Sequence, residues 1–280
     1  MTGGKSGMRV LGTVLVLGLL AGCGARADKD AVDLEGLTAQ QIFDRGDAQL
    51  ENDNPERALR YFSEVERLYP YTQYAKRSLI MQAYAYHQAK EYEDARAAAQ
   101  RFLDFYPADP DAAYAQYLLA LSYYDQIDEV GRDQGLTFQA LQSLRTVIEK
   151  YPDSPYARQA TLQFDVAFDQ LAGKEMEIGR FYLKRKNYAA AINRFRAVVE
   201  QYQTTSHTPE ALERLVESYL SLGLTDEAQT AGAILGYNYR SSPFYDDAYR
   251  LLTGQGLNPQ VTGDNWLSSI YRQTIRGEWI

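Results

Sequence analysis

Three Tyr-Pro dipeptides constrain this chain more than anything else in it. Tyr69-Pro70, Tyr106-Pro107 and Tyr151-Pro152 each close an amphipathic helical pattern. Proline lacks an amide hydrogen and clashes with the preceding turn, so a helix ends there. Each dipeptide leads into a short polar turn and a fresh stretch rich in Tyr and Ala. These are Tyr71-Thr72-Gln73-Tyr74-Ala75, Asp109-Pro110-Asp111-Ala112-Ala113-Tyr114 and Asp153-Ser154-Pro155-Tyr156-Ala157. Pro70 and Pro107 stand 37 residues apart, and Pro107 and Pro152 stand 45 apart. Punctuation at that spacing implies one helix pair per interval, stacked on its neighbours because no single pair buries its own apolar face.

Both spacings sit near the roughly 34-residue period of tetratricopeptide (TPR) repeats. Gly46, Ala58, Phe62 and Pro70 fall at that pattern's small, small, aromatic and proline positions. A second unit has Ala83, Tyr86, Ala95 and Pro107. The third has Ala120, Tyr123, Ala140 and Pro152, with a longer inter-helix loop at 128–133. The fourth reads Gly179, Tyr182, Ala191 and Phe195, with Gln203 in place of the closing proline, and a weaker fifth runs from Pro209 with Tyr219 and Ala228. Small residues let paired helices approach, and aromatics fill the grooves between pairs. The expected fold is all-α: a TPR-like α-solenoid of about five helix-turn-helix repeats, at about 38–70, 75–107, 112–152, 156–203 and 209–240. Tyr86, Tyr123, Tyr182 and Tyr219 read as repeat-core packing.

One interval is irregular. Pro70 to Ala83 and Pro107 to Ala120 each span 13 residues, whereas Pro152 to Gly179 spans 27. The surplus is close to four turns at 3.6 residues each. It predicts an unusually long first helix in the fourth repeat, over about 156–186, with Gly173 a mild weakness inside it. Lys184-Arg185-Lys186 would end that helix in a solvated turn, where cations suit the C-terminus.

The N-terminus carries a different signal. Lys5 and Arg9 precede an apolar run from Val10 to Leu20, too short to span a membrane, which takes roughly 20 apolar residues. It ends in Leu20-Ala21-Gly22-Cys23, which looks like a bacterial lipobox. Residues 1–22 are then a signal peptide, and the only cysteine of the chain, Cys23, takes the lipid. Residues 23–36 form the tether, and several acyl chains anchor firmly. Gly24 follows, not the Asp that tends to retain lipoproteins in the inner membrane, so the expected location is the periplasmic face of the outer membrane. The competing reading is an ordinary secretory signal with an incidental cysteine.

With 37 acidic against 29 basic residues and a net charge of −8, the chain does not suit a nucleic-acid partner. Its one thiol leaves no disulfide, so stability rests on packing. His87 and His207 lie in different repeats, so no His/Cys metal cluster is expected, nor any cofactor beyond the lipid on Cys23. No Gly-x-Ser-x-Gly or P-loop pattern occurs. Glu217-Ser218 resembles the catalytic dipeptide of lytic transglycosylases, but it falls mid-helix, where a solvated face is the simpler role. An enzyme is not expected. Tyr69, Tyr71 and Tyr74 cluster at the exit of the first repeat, where rigid aromatics could line a groove for aromatic-ended peptides. Core packing is the competing reading for each. Residues 241–280 have a Gly/Asn/Pro-rich hinge at 254–263 and an amphipathic stretch with Trp266, Leu267, Ile270, Tyr271, Ile275 and Trp279. They form either a cap over the last repeat or a partner-binding tail.

Lipobox, five TPR-like units, Tyr-Pro closures and the long fourth-repeat helix together resemble the BamD (ComL) family of outer-membrane lipoproteins, over roughly Cys23 to Arg240. The tail after Ser241 departs from the shorter members. The resemblance implies a scaffold for inserting and assembling β-barrel proteins. Its partners would be a BamA-like POTRA/barrel protein, other Bam lipoproteins and unfolded outer-membrane proteins. The POTRA contact would lie on the C-terminal repeats, with an Arg at the position of Arg194. Sorting signals of substrates would enter at the N-terminal repeats. The alternative is a generic periplasmic TPR lipoprotein coordinating cell-wall synthesis.

Overall fold

The computed structural model describes residues 34, 36–127 and 135–272. Cys23 and the signal sequence, the loop at 128–134, and Ile275 and Trp279 lie outside them. Residues 39–280 form one compact unit, and among its described residues all regular structure is helical. The helices are α1 (Ala39–Glu51), α2 (Pro55–Leu68), α3 (Gln73–Gln88), α4 (Tyr92–Phe105), α5 (Ala112–Tyr124) and α6 (Gly135–Lys150). They continue as α7 (Pro155–Lys184), α8 (Tyr188–Gln201), α9 (Thr208–Ser221), α10 (Thr225–Asn238), α11 (Pro243–Thr253) and the short α12 (Trp266–Ile270). Consecutive helices from α1 to α10 pack pairwise, and α1, α3, α5 and α7 also touch in series. That is the stacking of a solenoid.

The joints between repeats are one device used five times. Tyr69, Tyr106, Tyr151, Tyr202 and Tyr239 each follow the second helix of a pair, and each amide donates back to the carbonyl four residues earlier. Each of these tyrosine carbonyls then accepts the amide three residues on, from Thr72, Asp109, Ser154, Thr205 and Ser242, at 2.9–3.2 Å. Prolines follow only the first three. Proline excludes helix from the preceding residue, yet Tyr202 and Tyr239 adopt the same non-helical cap conformation without it (φ −126° and −134°, ψ 38° and 39°). Tyrosine, not proline, is the constant.

The turns inside the pairs are equally regular. Asp53, Lys90, Lys186 and Gly223 adopt left-handed φ of 54–74°. The next amide reaches back to the carbonyl of Gln49, Tyr86, Tyr182 or Tyr219, at 2.9–3.0 Å. This is the closure by which a helix satisfies its last carbonyls. The four tyrosines read as core do pack there: Tyr219 is buried, and Tyr86, Tyr123 and Tyr182 are partly buried against the same clusters, with Arg96 4.5 Å over the Tyr123 ring.

Helix α7 runs 30 residues. It packs on α5 and α6 of the third pair and on α8 of its own. Leu171, Ala172 and Met176 at its middle join Phe195, Val198, Leu212 and Leu215 in the largest buried cluster. Gly173 is not a mere weak point: a methyl there would sit 3.1 Å from His207 Nε2.

The fifth pair is followed by a helix the sequence reading missed. Helix α11 packs on α9 and α10, as the first helix of a sixth unit would. In place of a second helix, the chain returns as a strap. Gln229 Nε2 donates to Asn258 O (2.9 Å), Thr262 N to Thr230 Oγ1 (3.1 Å), and Trp266 Nε1 to the Tyr219 hydroxyl (2.9 Å). Arg196 stacks 4.7 Å over Trp266, and Leu267 is fully buried.

Candidate functional site

A cleft lies between α7 and α8. Helix α8 starts at Asn187, whose side chain accepts from Ala190 N, and turns Ala191, Phe195, Val198 and Val199 into the core. That register leaves Arg194 on the flank. Its Nη1 donates to both carboxylate oxygens of Glu175 on α7, at 3.1 and 3.4 Å. The Glu175 side chain is the deeper partner, 17% exposed against 42% for Arg194. With Tyr182, Asn193, Gln201 and Tyr202 the pair lines a cleft of about 400 Å³. Burial, and secondarily the nearby Glu175 charge, raise the Tyr202 hydroxyl above its ordinary pKa. Arg194 is therefore neither a free solvated arginine nor an unengaged contact residue. Its internal partner, 19 residues away, is a tertiary fact that periodicity does not reveal.

The three N-terminal tyrosines occupy the α2–α3 joint. Tyr69 is the half-buried cap and Tyr71 is wholly exposed. Tyr74 packs its ring 5.8 Å from Phe43 on α1. The structure thus presents Tyr71 to solvent and commits Tyr74 partly to the fold.

Other ionisable groups pair both between repeats and within one helix. His87 Nε2 lies 2.9 Å from Asp125, and Asp169 on α7 accepts from Ser206 N (2.9 Å) beside His207 (3.4 Å). On α9, Arg214 serves Glu217 (2.8 Å) and Glu213 (3.2 Å), while Arg180 pairs with Glu210 (2.9 Å). Glu213 is only 4% exposed. Burial outweighs its share of Arg214 and pushes its carboxyl up to about 7. Glu217 pairs with Arg214 at the edge of this cluster with its side chain 36% exposed, and the neighbouring Ser218 is buried. Among the described residues no group of three His, Cys, Asp or Glu side chains is placed to hold a metal ion.

A family model described as an outer membrane lipoprotein, YfiO, matches residues 36–234. The chain belongs to the YfiO family. YfiO relatives include two proteins named outer membrane protein assembly factor BamD. That of Caulobacter vibrioides is 48% identical over 251 residues, covering 90% of this chain and 82% of its own. That of Rickettsia prowazekii is 44% identical over 244 residues, covering 87% of this chain and 96% of its own. Among solved structures, a thermophilic TPR protein of Thermus thermophilus is similar at 20% identity, with a TM-score of 0.38 over 79% of this chain and 100% of that one.

Proposed function

We infer that this protein is a non-enzymatic scaffold in the assembly of β-barrel proteins into the outer membrane, held at the periplasmic face by lipid on Cys23. The observation that carries the reading is the match to relatives named as assembly factors over nearly their whole length. A solenoid whose repeats are tied by ion pairs such as Lys76–Asp109, Arg101–Glu66 and Arg180–Glu210 fits a binding role. In this reading the α7–α8 cleft around Arg194 receives a POTRA domain of the barrel-forming subunit. The joint at Tyr69, Tyr71 and Tyr74 receives the aromatic-ended C-terminal segments of unfolded barrel proteins. Tyr71 is the residue best exposed for that contact. Affinity there is expected to be modest, because ordering a flexible peptide consumes much of the interaction energy.

Affinity purification from detergent-solubilised envelope tests the reading. It should recover a POTRA-bearing barrel protein, whereas recovery of peptidoglycan synthases alone would favour the cell-wall alternative. A peptide ending in Phe should crosslink near Tyr71, and one lacking the terminal aromatic should not.

A further inference from the structure

The basic residues of this acidic chain are unevenly spread. From Ile178 to Val199 there are six cations, Arg180, Lys184, Arg185, Lys186, Arg194 and Arg196, and no carboxylate. Three of them are answered from outside that stretch: Arg180 by Glu210, Arg194 by Glu175 and Arg196 by Glu200. Lys184, Arg185 and Lys186 are exposed at the α7–α8 turn, and among the described residues none of them pairs with a carboxylate. The helix dipole favours cations at a C-terminus but does not require them. Helices α1, α3, α5 and α9 end without a lysine or arginine in the last turn.

Large apolar side chains share this end of the stack. Phe181 is 48% exposed, with the Arg185 guanidinium 4.1 Å from its ring centroid. One repeat on, the α9–α10 turn is Leu222-Gly223-Leu224, its leucines 46% and 41% exposed. The α1–α2 and α3–α4 turns carry Asn52-Asp53-Asn54 and Ala89-Lys90-Glu91 at the same place. Helices α7 and α9 each run into such a turn while α8 and α10 run back, and Arg180–Glu210 ties the two first helices together. Cations on long stems beside bare apolar groups suit the boundary of a bilayer, where charge stays among the headgroups and the apolar part enters. A soluble anion would use the cations and leave the leucines without a role.

We propose that the turns at 184–187 and 222–224 form a contact site for the surface of a phospholipid bilayer bearing anionic headgroups. Lys184, Arg185 and Lys186 meet the phosphates, and Phe181, Leu222 and Leu224 enter the interface. The inference rests on the lipid-anchor reading in one respect: acyl chains on Cys23 keep the protein beside a bilayer, so a weak contact suffices. Asp226 and Glu227 at the start of α10 oppose an anionic surface. Attraction therefore comes from the fourth pair and apolar insertion from the fifth.

The test uses the mature chain with Cys23→Ala, so that no acyl chain contributes, with thermal melts to follow folding. Binding is read by flotation with phosphatidylcholine vesicles that contain either no phosphatidylglycerol or about one-third of it. The parent should float with the anionic vesicles only, and should be released as salt rises from about 50 to about 300 mM. Lys184→Gln, Arg185→Gln and Lys186→Gln together should weaken binding at least tenfold, at about fivefold per cation near a charged surface. Leu222→Ser with Leu224→Ser should weaken it several-fold and keep the salt dependence. Parental flotation of the triple variant, or equal flotation of the parent with neutral vesicles, would overturn the proposal. Parental binding in the leucine variant would do the same, since charge alone would then suffice. A parent that floats with neither vesicle also sinks it, and loss of a co-purified envelope protein from the triple variant would then assign the turn to a protein partner. The anchor is tested separately by fractionating cells that carry Cys23→Ala, so either reading can fail without the other.

Discussion

Gly179 on α7 lies flat against the ring of Phe195 on α8, and there is no room between them for a methyl group. Gly46 and Phe62 repeat the arrangement in the first pair, where a Cβ on Gly46 would fall 2.6 Å from the ring. Both phenylalanines are fully buried. The aromatic ring fills the volume that the absent side chain leaves, so the two positions are packed as a unit.

Gly179→Ala should therefore destabilise the protein by about 1–3 kcal/mol, the usual cost of overpacking a well-filled core. Phe195→Leu should relieve part of that cost in the double variant, although alone it leaves a void. Chemical denaturation of the three variants gives the coupling directly. Additive losses would show that the two positions do not share one volume.

The left-handed turn residues should divide by type. Gly223→Ala places a side chain at φ 74° and should cost roughly 1 kcal/mol. Lys186→Gly, at φ 58°, should be neutral or stabilising by up to about 1 kcal/mol. Thermal melts of both proteins decide the matter. A stable Gly223→Ala protein would mean that the turn relaxes.

Glu213 sets a pH dependence. The unfolded chain ionises it near the ordinary glutamate value, whereas the folded chain keeps the proton up to about 7. Between those limits the folded state binds more protons, so this group's contribution to stability falls as pH rises. Glu213→Gln should remove that slope and be the more stable protein at pH 8, by roughly 1–3 kcal/mol. Melts taken from pH 5 to 8 would show parallel curves if Arg214 instead keeps Glu213 ionised.

Trp266 fastens the strap to α9 through Tyr219 and to α8 through Arg196. Trp266→Phe and Tyr219→Phe should each cost about 1–2 kcal/mol. The double variant should cost less than their sum, because one hydrogen bond is lost once. Strict additivity would show that the bond contributes nothing.

Cys23→Ala should shift the protein from the outer-membrane fraction to a soluble periplasmic or precursor form. Undiminished recovery with the outer membrane would contradict the lipid anchor.

Much of the fold was legible in the sequence because its joints are local. A Tyr-Pro ending and a polar turn are read within a few residues, and they located the stacked helices and the length of α7. The repeat offsets also placed the ends of the fourth and fifth units, at 203 and 240, although no proline closes them. Helix α11 was missed, although Ser242-Pro243 opens it as Ser154-Pro155 opens α7. Tyr86 and Tyr182 pack on the core as read, and each also contributes its backbone carbonyl to the turn bond, which the repeat offsets do not reveal. The engagement of Arg194 with Glu175 was not legible at all. It depends on how the two helices of the fourth pair lie side by side, with Glu175 one turn before Gly179 and Arg194 beside Phe195, and that is a matter of packing.

The extra length of α7 governs how the molecule can flex. Neighbouring repeats meet across a short turn, at Tyr151 as elsewhere. Beyond that turn the fourth repeat opens with one unbroken rod of 30 residues that packs on α5 and α6 of the third pair and on α8 of its own, roughly 45 Å long at 1.5 Å per residue. A helix resists bending far more than a turn does, so the front three pairs and the rear two are coupled like the arms of a lever. A push on one arm is delivered to the other as rotation instead of being absorbed between them.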